Sequence, residues 1–250
     1  MKQLFLLALC ALILLVGQGT GAAQDGGLSD VPQLERFAGT WYDADGREVV
    51  TIGDGRINGC PVIEVGSFVG SAACGAGAFR IMEAAGPRSI QIGWTNFGDD
   101  QYFITVDGGE GLLRGTPTYY ETVGGVAPGM RMRDVTQRFG TEVKLTTEAP
   151  LTAGGRTYSY GSYYPAQKVL VCAQSGMVTT IALLPGSPLH FDRSGLTMDS
   201  SLEEFARAYG LRRTPQEQTE RSVAPAYIGH GQTLHFGKNR SFVTLTLYDT

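Results

Sequence analysis

Between Leu34 and Val123 the apolar positions recur with a period of two, not 3.6. Ile90, Ile92 and Trp94 share one parity while Gln91, Gly93 and Thr95 take the other, and Tyr102, Ile104 and Val106 repeat the theme. Such alternation sends successive side chains to opposite faces of an extended strand. Asp45-Gly46, Asp54-Gly55, Gly86-Pro87 and Asp107-Gly108-Gly109 interrupt the runs at hairpin-like intervals, and Asp-Gly pairs supply the positive φ that two-residue hairpin turns require. A short turn at Gln33 to Phe37 is the one helical signal here. The pattern predicts an antiparallel meander curled into a small barrel, with eight short strands in about 90 residues and an interior filled by side chains.

The period changes after the glycine-rich stretch 123–129. Met132, Val135 and Phe139 form an i, i+3, i+7 stripe that stops at Gly140, and Leu202, Phe205, Tyr209 and Gly210 repeat it 70 positions later. Each stripe predicts a helix ended by glycine. Ser200 and Glu203 have capping-box spacing at the start of the second, with Asp199 adding negative charge at its N-terminus. Three strand-like stretches follow each helix: 157–160, 168–173 and 177–184 in the first copy, then 226–229, 233–236 and 242–247 in the second. Segment 168–184 overlies 232–248 at a shift of 64. The expected fold class is α+β: an N-terminal antiparallel β meander or small barrel (34–125), then two tandem helix-plus-three-strand repeats (126–250, dividing at 188/189).

Two resemblances accompany these patterns. Gly39-Thr-Trp41-Tyr42 resembles the G-x-W-Y opening strand of lipocalin and avidin-like barrels, which implies a packing role for Trp41 at the barrel floor. Gly129-Met130, Val135 and Phe139-Gly140, followed by the strand triplet, are similar to the G-M-x4-V-x3-L-G unit of SmpA-type outer-membrane assembly lipoproteins. Tandem copies of a related unit build the β-lactamase inhibitory proteins. The second copy departs, with Asp199-Ser200 in place of Gly-Met. These relatives are binding or scaffold proteins, so the resemblance implies docking, not catalysis. No inhibitory contact residue carries across, because none belongs to the motif.

Composition fixes the compartment. Lys2, an unbroken apolar run of 13 residues from Leu4 to Val16 and the small residues Gly21-Ala22-Ala23 have the layout of a secretory signal cleaved near Ala23. The run falls short of the roughly 20 apolar residues of a membrane span. Leu9 occupies the position where a lipoprotein signal ending at Cys10 wants a small residue. Residues 24–33 read as a flexible lead-in, and the mature chain as exported, periplasmic or extracellular. Its 19 basic and 24 acidic residues leave a net charge of −5, which argues against nucleic acid or anionic lipid as the main partner. Glycine, at 35 of 250 residues, is scattered through apolar runs and implies many tight turns.

In an exported chain Cys60 and Cys74 are expected to bridge, closing a loop of about 15 residues. Cys172, aligned on Phe236, reads as an inward-facing free thiol, with a reactive or intermolecular thiol as the alternative. Serine elbows, His-Glu-x-x-His, P-loops and paired C-x-x-C motifs are absent. Gly75-Ala76-Gly77 leads into a strand-like segment and reads as a turn or bulge, not a phosphate cradle. His190, His230, His235 and Asp192 lack compact zinc spacing. Asp99, Asp100, Asp107 and Glu110 cluster at turns, where solvated acids are common, though a glycosidase pair has the same composition. Neither catalytic residues nor cofactor or metal ligands are assigned.

One segment stands out: residues 157–164 carry Tyr158, Tyr160, Tyr163 and Tyr164 among serine and glycine, a composition favoured in binding loops. The alternative is that Tyr158 and Tyr160 merely cover the helix or the sheet edge. The expected function is a non-enzymatic exported binding or scaffold protein that docks an envelope or extracellular protein. A small-ligand carrier using the barrel is the alternative, and an exported hydrolase the third reading.

Overall fold

The structure is a computed structural model that describes residues 28, 31–98, 101–211, 226–229, 232–236 and 243–247. The expected signal segment 1–23, most of the lead-in, Asp99, Asp100, His230 and Phe242 lie outside the described residues. No described helix is long and apolar enough to cross a membrane. The chain divides into two compact units, one running to Asn96 and including Tyr102–Thr116, the other comprising Phe97–Gln101 and the residues from Pro117 onward.

The first unit is a closed antiparallel barrel of eight strands: β1 (Gly39–Tyr42), β2 (Glu48–Gly53), β3 (Arg56–Ile57), β4 (Cys60–Gly70), β5 (Cys74–Glu83), β6 (Gly86–Gly98), β7 (Gln101–Val106) and β8 (Leu112–Leu113). Closure is made where Tyr42 of β1 pairs with Leu113 of β8. Asp54-Gly55 (φ 51° and 67°) and Asn58-Gly59 (φ 51° and 73°) make the β2–β3 and β3–β4 turns. Both residues of each pair have positive φ, as a type I′ turn demands, and its twist matches that of the flanking strands.

Alternation then fills the interior. Trp41, Ile52, Ile57, Val62, Phe79, Ile81, Ile92, Trp94 and Ile104 are all at most 3 % exposed. Gly75 and Gly77 are part of this packing: a Cβ on Gly75 would collide with the Trp94 ring, and one on Gly77 would lie 2.7 Å from Phe68 Cδ2. Their missing side chains let Phe68 stack on Trp94, with centroids 4.8 Å apart and planes at 23°. A short helix, α1 (Pro32–Glu35), begins with proline at a position that needs no N–H donor. It delivers the fully buried Phe37 against Trp94 and Tyr102, at 5.2 and 5.6 Å. Trp41 Nε1 donates to Phe37 O at 2.8 Å, so the tryptophan holds the α1 turn onto the barrel.

The second unit corrects the expected α+β class. The described chain is mainly β, and two tandem helix-plus-three-strand repeats are not seen. One antiparallel sheet of seven strands runs in the order β15-β16-β17-β14-β13-β12-β9. Its strands are β9 (Val143–Leu145), β12 (Gly161–Tyr164), β13 (Val169–Gln174), β14 (Met177–Leu183), β15 (Ala226–Gly229), β16 (Gln232–Phe236) and β17 (Val243–Leu247). A separate hairpin is formed by β10 (Leu151–Ala153) and β11 (Arg156–Tyr158). The helices are α2 (Met132–Phe139) and α3 (Leu202–Tyr209).

Three physical facts overturn the repeat. First, β14 and β17 pair directly, from Thr180 with Thr246 to Leu183 with Val243, which merges the strands into one sheet. Second, the helix residues Val135, Phe139 and Phe205 share one core with Val171, Ile181, Leu234 and Leu245, so neither half buries its apolar face alone. Third, the strands do not superpose at a shift of 64. Ile181 and Leu245 both face the core, but at that shift core-facing Leu234 falls on Leu170, which faces the other way. A bulge between Cys172 and Ala173 absorbs the odd residue, and a one-residue slip turns every side chain to the opposite face.

The helix ends are close to expectation. The capping box lies one residue later than anticipated: Ser201 Oγ accepts from Glu204 N, and Ser201 N donates to the Glu204 carboxylate at 2.6 Å. Gly210 ends α3 in the left-handed conformation, with φ 65° and ψ 27°.

Candidate functional site

Strand alternation divides the tyrosine segment. In β12, Ser162 and Tyr164 point to the helix side of the sheet, while Gly161 and Tyr163 point away. Tyr164 is fully buried, edge-on to Phe139 at 5.5 Å, and shares a hydrogen bond with Thr136 Oγ1 at 3.1 Å. Burial pushes its phenol upward. Tyr164 is therefore corrected from docking residue to core residue. Tyr158 and Tyr163 are half-buried with Leu151 against Leu145, Leu170 and Ala182, where they hold the β10–β11 hairpin to the sheet. Only Tyr160 is widely exposed, at 64 %, and its hydroxyl donates to Ala173 O at 2.8 Å.

Two polar clusters not anticipated from the sequence lie in this unit. Lys144 Nζ donates to Ser162 Oγ at 2.8 Å and pairs with Glu142 at 2.9 Å. Burial alone would raise the Glu142 carboxyl, but hydrogen bonds from Ser162, Lys144 and Tyr164 and the Lys144 charge bring it below the ordinary range. The cluster therefore serves as a clasp that ties edge strand β9 to β12 and to the end of α2.

The second cluster centres on Glu121, 1 % exposed. Its Oε1 accepts from Thr122 N and Arg193 N, both at 2.9 Å, and its Oε2 accepts from the Tyr209 hydroxyl at 2.6 Å. The Gln232 side-chain amide brackets the Glu121 backbone, accepting from its N and donating to its O. Burial and the Glu121 hydrogen bond hold the Tyr209 phenol in its protonated form. Beside it, Asp192 accepts from Gly125 N at 2.6 Å and from the Thr122 hydroxyl, and lies 3.4 Å from His190 Nε2. Every carboxylate oxygen of Glu121 is taken by a structural donor. This arrangement joins segment 121–125 to loop 190–194, to α3 and to β16.

The remaining candidates separate. Among the described residues no three His, Cys, Asp or Glu side chains gather where they could hold a metal ion. Asp107 accepts from Gln91 N and pairs with Arg88, at 2.8 and 3.1 Å. The expected Cys60–Cys74 bridge is corrected: both are thiols. Val62 pairs with Ile81 and Gly70 with Gly75, so the two cysteines begin antiparallel partner strands at opposite ends of the β4–β5 ladder, far beyond the reach of a disulfide. Cys172 is corrected as well, since its parity places it on the sheet face turned away from the helices. There burial pushes the thiol up to about 11.

That outer face has its own chemistry. Direct pairing sets Cys172, Thr180, Thr246 and Thr233 in one row across β13, β14, β17 and β16, and Leu170, Ala182, Thr244 and His235 in the next. Thr180 and Thr246 share a hydroxyl hydrogen bond at 2.9 Å. Neither row contains a Lys, Arg, Asp or Glu.

In the first unit, an open groove of about 320 Å³ lies on the outside of the barrel, between α1 and the β2–β3 turn. No family model, no curated protein and no solved structure matches this chain.

Proposed function

We propose that the protein is an exported, non-enzymatic binding protein that docks a protein of the envelope or extracellular space on the outer face of the seven-stranded sheet. Support comes from the half-buried Cys172, Thr180, Thr246, Thr244 and His235 in the two rows across β13, β14, β17 and β16, a patch without Lys, Arg, Asp or Glu; Thr233 of the same rows is buried, and Leu170 and Ala182 lie beneath the β10–β11 hairpin. Charged residues are depleted at the centres of protein interfaces, while the rims are polar. The helix side of the same sheet is filled by the Val135, Phe139 and Phe205 core. The carboxylates of Glu121 and Glu142 are each engaged within their own cluster.

The barrel offers less to a carrier, because its inward positions are occupied by Trp41, Phe79, Trp94 and Tyr102. Site-specific photo-crosslinking tests the proposal. A crosslinker at Thr244 should trap a discrete partner in the envelope fraction, and one at exposed Gln137 of α2 should not. Equal trapping at both positions, or trapping at Gln137 alone, contradicts the assignment.

A further inference from the structure

We propose that the β10–β11 hairpin is a flap that gates the docking face, an inference that rests on the sheet-face reading. Val143, Tyr163, Leu170, Ala182, Thr244 and His235 form one row across β9, β12, β13, β14, β17 and β16. The row is covered at one end and open at the other. Leu170 and Ala182 are 3 % and 4 % exposed, with Leu151 and Tyr158 of the hairpin packed against them, whereas Thr244 and His235 are half-buried.

Three observations make this cover separable from the sheet. Among the described residues no backbone hydrogen bond joins the hairpin to the seven-stranded sheet; its own ladder runs from Leu151 with Tyr158 to Ala153 with Arg156. Its contact is narrow, since Leu151, Ala153 and Tyr158 are half-buried while Thr152, Arg156 and Thr157 are exposed. The Tyr158 hydroxyl is buried without a hydrogen-bond partner. Closure therefore strips that hydroxyl of water, and lifting the hairpin restores it. Burial of Leu151 and the Tyr158 ring acts in the opposite direction, so the two forms are close in free energy.

The necks define the moving part. Tyr160 donates its hydroxyl to Ala173 O at 2.8 Å, and at Gly161, φ 110°, a Cβ would lie 2.9 Å from both Leu170 Cδ1 and Val171 O, so the chain is fixed to β13 there. The other neck is a turn in which Thr146 N donates to Ala149 O at 3.3 Å. Residues 150–159 move between these points. Lifting them joins Leu145, Leu170 and Ala182 to Thr244 and His235 in one surface without formal charge and with an apolar centre. A partner with an apolar contact surface takes the place of Leu151 and Tyr158 and binds the open form, so the closed flap weakens its apparent affinity in proportion to the open fraction.

The test is iodoacetamide alkylation of the full mature chain carrying Cys172→Ala and Ala182→Cys, compared with Cys172→Ala and Val178→Cys, Val178 being fully buried on the helix side of the same strand. The thiol at position 182 should react about 100-fold faster than the one at 178, at a rate unchanged by urea below the unfolding transition, because a lifted hairpin exposes little surface. Tyr158→Phe removes the unpartnered hydroxyl and should slow alkylation at 182 about 5-fold; Leu151→Ala removes apolar cover and should speed it about 10-fold. In the envelope fraction, trapping by a crosslinker at Thr244 should rise with Leu151→Ala and fall with Tyr158→Phe. Alkylation equally slow at both positions, or unmoved by both variants, overturns the flap whatever the trapping shows. Trapping that ignores both variants while alkylation follows them overturns the gating. No trapping in any variant, with alkylation as expected, overturns docking on this face and the gating with it, and leaves the movement of the hairpin standing.

Discussion

Tyr209, the last residue of α3, donates its hydroxyl to the buried carboxylate of Glu121 at 2.6 Å, across 88 residues of sequence. Ser194 Oγ touches the same hydroxyl at 2.8 Å. A hydrogen bond to a buried charge contributes about 1.5–3 kcal/mol, and removing one partner leaves the other desolvated. Tyr209→Phe should therefore lower unfolding free energy by about 2 kcal/mol in urea titrations while the ring packing against Phe205 persists. A loss below about 0.5 kcal/mol would show that water replaces the phenol without cost.

In the barrel, Gly77 faces Phe68 and Gly75 faces Trp94 with no room for a Cβ. Gly77→Ala should destabilise by about 1–3 kcal/mol, as overpacking does, and should alter the near-ultraviolet dichroism of Trp94. An unchanged spectrum and melting temperature would mean that the Phe68–Trp94 stack is not fixed.

Cys172 offers a pH test. Its folded thiol is pushed up to about 11 by burial, above the unfolded value of roughly 8.5. The folded state thus binds the thiol proton more tightly. This contribution to stability is fully present below pH 8.5 and is lost as pH rises from there through about 11. Cys172→Ala should flatten that part of the alkaline stability profile. Alkylation of native Cys172 should be slow at pH 8 and rise as pH approaches 11. Rapid native labelling at pH 8 contradicts the burial. Peptide mapping without reductant should find Cys60 and Cys74 unlinked, and a linked pair would contradict the β4–β5 register.

The tyrosines should now divide by face. Tyr164→Ala, like Phe139→Ala, should cost about 3–5 kcal/mol through a core cavity, whereas Tyr160→Ser should change stability by no more than about 0.5 kcal/mol. Equal effects in chemical denaturation would place both rings in one environment, against the alternation of β12.

These divisions show what the sequence could and could not convey. The barrel was legible because its signals are local: alternating parity at Ile90, Ile92 and Trp94, and turn pairs such as Asp54-Gly55. The helices were legible through the stripes ending at Gly140 and Gly210. The merging of β14 with β17 was not, because strand partners at long range leave no local mark. The Cys172–Ala173 bulge hid itself by keeping both flanking runs apolar while reversing their faces. Cysteine spacing suggested a bridge only because the antiparallel register, which sends Cys60 and Cys74 to opposite ends, is invisible in spacing. Glu121 sits in an irregular segment whose four donors come from Thr122, Arg193, Tyr209 and Gln232, and no motif connects them. The tyrosine segment carried the composition of a binding loop, yet tertiary packing consumed Tyr164 and half-buried Tyr158 and Tyr163.

The sheet-face assignment meets its most direct test in affinity capture from the envelope fraction, comparing the mature chain with Thr180→Lys/Thr244→Lys. Two lysines at the centre of the uncharged rows would have to be desolvated by any partner seated there. The captured protein should be lost from the variant, with its circular dichroism and melting temperature close to those of the parent. Undiminished capture by a folded variant would contradict docking on this face.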